Sequence, residues 1–131
     1  MELNIKNTLV LITALFFMVT YFFSSFEKLV DWKNTISYYK NHFKDTFISF
    51  WVPSALGGIV IFEIIVVLGL GWGVYQFIRE GTITILYFSY LISAFLLMTF
   101  LIGQRIARDY QGATSITIYL IFNILAFYFL N

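Results

Sequence analysis

Uncharged runs about as long as a bilayer is thick constrain this chain more than any other feature. Residues 8–26 carry no charged side chain, and 19 residues rise about 28 Å as a helix, close to the hydrocarbon thickness of a membrane. Three more runs of this kind follow at 53–77, 82–102 and 113–130, interrupted by one carboxylate, Glu63. In lipid every backbone polar group must find its partner within the protein. The runs are continuously apolar rather than alternating, which selects helices over a membrane barrel. The expected fold is therefore all-α: an integral membrane four-helix bundle, one transmembrane domain over residues 1–131, with a short amphipathic interfacial helix between spans 1 and 2.

Composition agrees, since 60% of the residues are hydrophobic and 11% charged, against about a quarter charged in soluble domains. The lipid bilayer is the first partner. A net charge of +1 offers no basic footprint, so nucleic acid is excluded. Cysteine is absent, which removes thiolate nucleophiles, thiolate metal sites and disulfide exchange. The first run is longer than the apolar part of a signal peptide and no small-x-small cleavage site follows it, so it reads as a span.

The longest connection, residues 27–45, has a pattern of its own. Trp32, Ile36, Tyr39, Phe43 and Phe47 recur at helical spacing, while Lys33, Asn34, Ser37, Lys40, Asn41 and Lys44 fill the other side. This predicts an amphipathic helix over about 32–47 with Asp31 as its N-cap, lying at the interface or packed on the span ends. Pro53 suits the first turn of span 2. Ser54, Ala55, Gly57 and Gly58 invite close helix approach there, and Gly69, Gly71 and Gly73 are expected to weaken or bend its far end. Arg79, Glu80 and Gly81 make a tight connection, and residues 103–112 form a polar one with Arg105, Arg108 and Asp109. Trp32, Trp51 and Trp72 fall near expected interfaces, where amphipathic rings settle.

Glu63 is the most informative position, because a carboxylate within a span is costly and faces a partner, a cavity or a proton path. It lies ten residues from Pro53, about 15 Å along the axis, and so nearer that end of the bundle. An up-down arrangement brings the ends of spans 1 and 3 to the same face, so the candidate intramembrane polar cluster comprises Glu63, Lys28, Arg105, Glu27 and Asp109. Lys28 and Arg105 have stems long enough to reach inward. Three readings stay open: an ion pair that fixes helix register, a functional pocket, or a protonated Glu63 that only hydrogen-bonds. Tyr21, Ser24 and Ser25 belong to the same end. His42 stands alone in a polar stretch, and no metal site is expected. No Ser/His/Asp set, HExxH or Walker motif is present, so an autonomous enzyme is not expected.

With these residues in place, the chain resembles the DoxX-like group of small four-span membrane proteins, which includes the MauE-like branch. Ser25-Phe26-Glu27-Lys28-Leu29 closes the first span, where the family reads small-glycine-x-lysine-leucine. Glu63-Ile64-Ile65 with Leu68-Gly69 is similar to the family's glutamate followed by a glycine-ended apolar run, and Arg105-Ile106-Ala107 precedes the last span. Phe26 replaces the usual glycine, and the missing cysteines rule out the thiol chemistry of some MauE-like proteins. The resemblance implies a multi-pass protein of the bacterial inner (cytoplasmic) membrane, accessory to a redox or quinone-linked complex, with other membrane subunits as partners. Lys28 and Glu63, and less closely Arg105, fall on recurrent family positions, and a quinone is the one cofactor that the resemblance brings into view.

The competing expectation is a non-catalytic structural subunit of a larger cell-envelope assembly, such as a transport or motility machine. A proton- or solute-translocating carrier is weaker, because four spans without an inverted repeat make a small carrier.

Overall fold

The computed structural model describes residues 2–130. Five α-helices account for most of them: α1 (Ile5–Val30), α2 (Trp32–His42), α3 (Val52–Glu80), α4 (Thr84–Ile106) and α5 (Tyr110–Phe129), with a 3-10 turn at Ser49–Trp51 leading into α3. Among the described residues there is no strand. α1, α3, α4 and α5 are each long and apolar enough to cross a membrane; the protein is a multi-pass membrane protein. The helices extend past the uncharged runs at nearly every end, since the polar residues that flank each run remain helical.

The four long helices run up and down in the cyclic order α1, α3, α4, α5, with α5 closing back on α1. α1 and α4 therefore stand across the bundle. One face gathers the end of α1, all of α2, the start of α3, the end of α4 and the start of α5; we refer to it as the α2 face.

Helical spacing decides what each span buries. On α1, Val10, Ala14, Phe17, Tyr21 and Ser25 form one inward stripe, and Lys28 continues the same register by one turn. On α3 the stripe is Val52, Leu56, Val60, Glu63, Val66, Leu70, Gly73 and Phe77. Glu63 thus occupies a core position among aliphatic neighbours. Large side chains on the outer faces, such as Phe23, Leu68, Phe95 and Ile124, meet lipid at no cost, because lipid tails are as apolar as they are.

The end signals act locally. Asn4 caps α1 by accepting the Asn7 amide at 2.8 Å, and Pro53 sits in the first turn of α3. α3 stops at Gly81, whose φ of 70° is readily adopted only without a Cβ. Arg108 also takes a positive φ, 60°, and so folds the chain back to let Asp109 start α5.

Four expectations are corrected. Gly57 and Gly58 have nothing near the space a Cβ would fill, whereas a Cβ on Gly73 would lie 2.9 Å from the Leu86 backbone nitrogen. The close approach of α3 and α4 is thus made by the glycines at the far end of α3, and these neither end nor interrupt the helix. α2 also stops at His42 instead of near position 47. Trp32, Ile36, Tyr39 and Phe43 do turn inward and the lysines outward, but Phe47 follows the helix end and is 79% exposed. Asp31 precedes α2 without capping its backbone; its carboxylate accepts from the Asn34 amide instead.

Candidate functional site

Lys28 and Glu63 meet at the α2 face of the bundle. Lys28 Nζ donates to Glu63 Oε1 at 2.7 Å, with Glu63 fully buried and the Lys28 side chain 11% exposed. Antiparallel packing explains how a residue near a helix end reaches one deep in its neighbour. Side chains lean toward the N-terminus of their own helix, so Lys28 leans into the bundle and Glu63 leans out toward the α2 face. Lys28 also donates to Ser24 Oγ, one turn earlier, and lies 3.5 Å from the Ser24 carbonyl. The second carboxylate oxygen, Glu63 Oε2, is buried and receives no hydrogen bond from the protein.

Two concavities flank this pair. The larger, about 470 Å³, lies between the roof made by α2 and the 3-10 turn and the ends of α3, α4 and α5. Its walls are apolar, among them Leu56, Ile59, Phe100, Ile106 and Ile116, while Lys28, Ser24, Thr99 and Gln104 supply polar groups. Trp51, Ala55, Thr99 and Ile102 line it and are also exposed, so it reaches the outer surface between the 3-10 turn with the first turns of α3 and the last turns of α4. That surface is the outer face of two helices long and apolar enough to cross a membrane. The smaller recess, about 330 Å³, is polar, lined by Glu27, Asp31, Asn34, Thr35 and Tyr38. Ser24, Lys28 and Tyr39 line both and form the wall between them. Burial pushes the Tyr39 phenol above its usual range, and the nearby Tyr38, Glu63 and Glu27 add to the effect, so it remains a neutral hydroxyl.

The five residues of the sequence-derived cluster do not converge. Lys28 and Glu63 are together. Glu27, next to Lys28 in sequence, is exposed and borders the polar recess without reaching Glu63. Arg105 is exposed, with its guanidinium 5.1 Å from the Tyr110 ring centre, and among the described residues it forms no ion pair. Helix register accounts for this: Arg105 projects from α4 away from the inward stripe that ends in Leu96 and Leu97. Asp109 caps α5 by accepting the Gly112 amide at 2.9 Å and lies 3.8 Å from His42 Nε2.

His42, isolated in sequence, has neighbours in space. Its Nε2 is 3.1 Å from Gln104 Oε1, so the end of α2 is fastened to the last turn of α4. A Cβ on Gly112 would approach within 2.7 Å of Asp109 and 2.9 Å of Gln104; glycine there lets the fastening close. A second polar set crosses the bundle interior. The Tyr21 hydroxyl is 2.9 Å from Ser93 Oγ, the Tyr90 hydroxyl donates to the Val10 carbonyl at 2.8 Å, and Asn123 Nδ2 donates to the Tyr90 carbonyl at 3.0 Å. Single polar residues inside apolar runs were the sequence signal for this set, but nothing in the sequence paired them.

Compared with known protein families, curated proteins and solved structures, the chain matches no family model, no curated protein and no solved structure. The DoxX-like resemblance therefore rests on the residue patterns alone.

Proposed function

We propose that the protein is a DoxX-like accessory subunit of the bacterial inner membrane, holding a lipophilic molecule such as a quinone for a redox-linked membrane complex. The observation that carries this reading is the Lys28–Glu63 pair at the wall of an apolar cavity that opens on the outer surface beside α3 and α4. The cavity falls within the range of small-molecule sites, about 300–1,000 Å³, and combines apolar walls with a few polar groups. A pair serving helix register alone needs no such space beside it. The site offers binding and orientation, with the Lys28 ammonium engaged by Glu63 and Ser24, which fits a subunit that supports chemistry carried out by a partner.

Purification in mild detergent tests the reading. The expected outcome is a quinone in the organic extract at a constant ratio to protein, with an oxidoreductase among the copurifying subunits. An extract free of quinone, with envelope transport or motility components copurifying instead, would establish the structural-subunit alternative.

A further inference from the structure

Lys28 can read the head of a molecule in the cavity, and the charge around it restricts what that head can be. Its ammonium carries three protons. One goes to Glu63 Oε1 and one to Ser24 Oγ, and what remains is the 3.5 Å contact to the Ser24 carbonyl, at the outer limit of a hydrogen bond. That donor is free to be exchanged for a better acceptor on the cavity side. Glu63 already supplies the counter-charge at 2.7 Å. A second anion would leave the site with net charge −1 among apolar walls, where an uncompensated charge is heavily disfavoured. A neutral acceptor adds a charge-assisted hydrogen bond and no charge.

We propose that the cavity is a site for neutral lipophiles bearing an exposed carbonyl or similar acceptor oxygen, taken from the bilayer between α3 and α4, and that it discriminates against lipophilic anions such as fatty acids. Access follows from the geometry. Of the exposed lining residues, Ala55, Thr99 and Ile102 lie on α3 and α4 and Trp51 on the 3-10 turn that leads into α3, while Ser24, Lys28 and Tyr39 stand between the cavity and the polar recess. The tail lies along Leu56, Phe100 and Ile116 and the oxygen ends at Lys28. This inference deepens the proposed function by assigning the ligand's head chemistry, and it rests on that reading only for the use to which the ligand is put.

The test uses the whole protein in phosphatidylcholine nanodiscs, with three probes of equal chain length: a methyl ketone, a carboxylic acid at a pH where it is ionised, and the hydrocarbon. Native mass spectrometry counts the molecules retained. The ketone is expected to bind at about tenfold lower concentration than either of the others, the size of one charge-assisted hydrogen bond. Lys28→Met alone would strand the buried Glu63, so the control is Lys28→Met combined with Glu63→Gln, in which the ketone should lose its advantage over the hydrocarbon. Carboxylate binding as strong as the ketone's, a ketone advantage that survives in the double variant, or retention of none of the probes would each overturn the proposal. A native extract without quinone, alongside intact ketone selectivity, would count against the redox role and leave the binding site standing.

Discussion

Lys28, two residues before the end of α1, and Glu63, eleven residues into α3, touch at 2.7 Å because their side chains lean toward each other along antiparallel helices. Neither position alone forecasts the contact; the direction of the Cα–Cβ bonds closes the gap. The pair also ties the end of α1, where α2 begins, to the interior of α3.

Breaking that pair from one side should cost more than removing it. Glu63→Gln keeps the shape but strips Lys28 of its counter-charge, with an expected loss of about 2 kcal/mol. The value lies on the low side for a buried pair because Lys28 borders the polar recess and is 11% exposed. Combining Glu63→Gln with Lys28→Met should recover most of it. Unfolding in detergent with increasing denaturant measures all three; a double variant less stable than either single one would refute a coupled pair.

The two glycine sets of α3 should respond in opposite ways. Gly73→Ala places a methyl group 2.9 Å from the Leu86 backbone nitrogen, which forces α3 and α4 apart at a cost of about 1–3 kcal/mol. Gly57→Ala meets nothing within 4 Å and gains helix propensity, so stability should hold or rise by up to about 1 kcal/mol. Thermal unfolding of both variants decides the order, and a destabilised Gly57→Ala would place a close neighbour where the structure has none.

The roof over the cavity should loosen when its fastening is removed. His42→Ala deletes the bond to Gln104, and Gly112→Ala crowds Asp109 and Gln104; both should raise amide exchange across the second half of α2. Asn41→Ala, at an exposed position, should leave exchange unchanged. Hydrogen-deuterium exchange in nanodiscs measures this. Equal protection in all three variants would mean that the apolar stripe of Tyr39 and Phe43 holds α2 without help.

Orientation follows from charge. The α2 face carries Lys28, Lys33, Lys40, Lys44, Arg105 and Arg108, and the opposite ends carry Lys6 and Arg79, so the positive-inside bias predicts that the α2 face lies on the cytoplasmic side. The natural chain has no cysteine, and Asn34→Cys gives an exposed reporter. It should resist an impermeant thiol reagent in intact cells and react after lysis; labelling before lysis would invert the topology.

By itself the sequence determined the solvent, the number of spans and the special place of Glu63, because burying a charge in hydrocarbon and leaving backbone groups unpaired there are both expensive enough to dominate any local preference. The amphipathic period of α2 was legible for the same reason: one of its faces meets water. Inside the bundle that contrast disappears. Core-facing and lipid-facing positions are equally apolar, so the sequence could not say which stripe of each span points inward, and Lys28 and Arg105 looked like equal partners for Glu63. Only the tertiary structure decided between them, through a register that turns Lys28 in and Arg105 out. It also moved the close helix contact from Gly57 and Gly58 to Gly73, and gave His42 its neighbours in Gln104 and Asp109. Those contacts depend on how helices distant in the chain rotate against one another, and that rotation is set by the packing of all four spans at once.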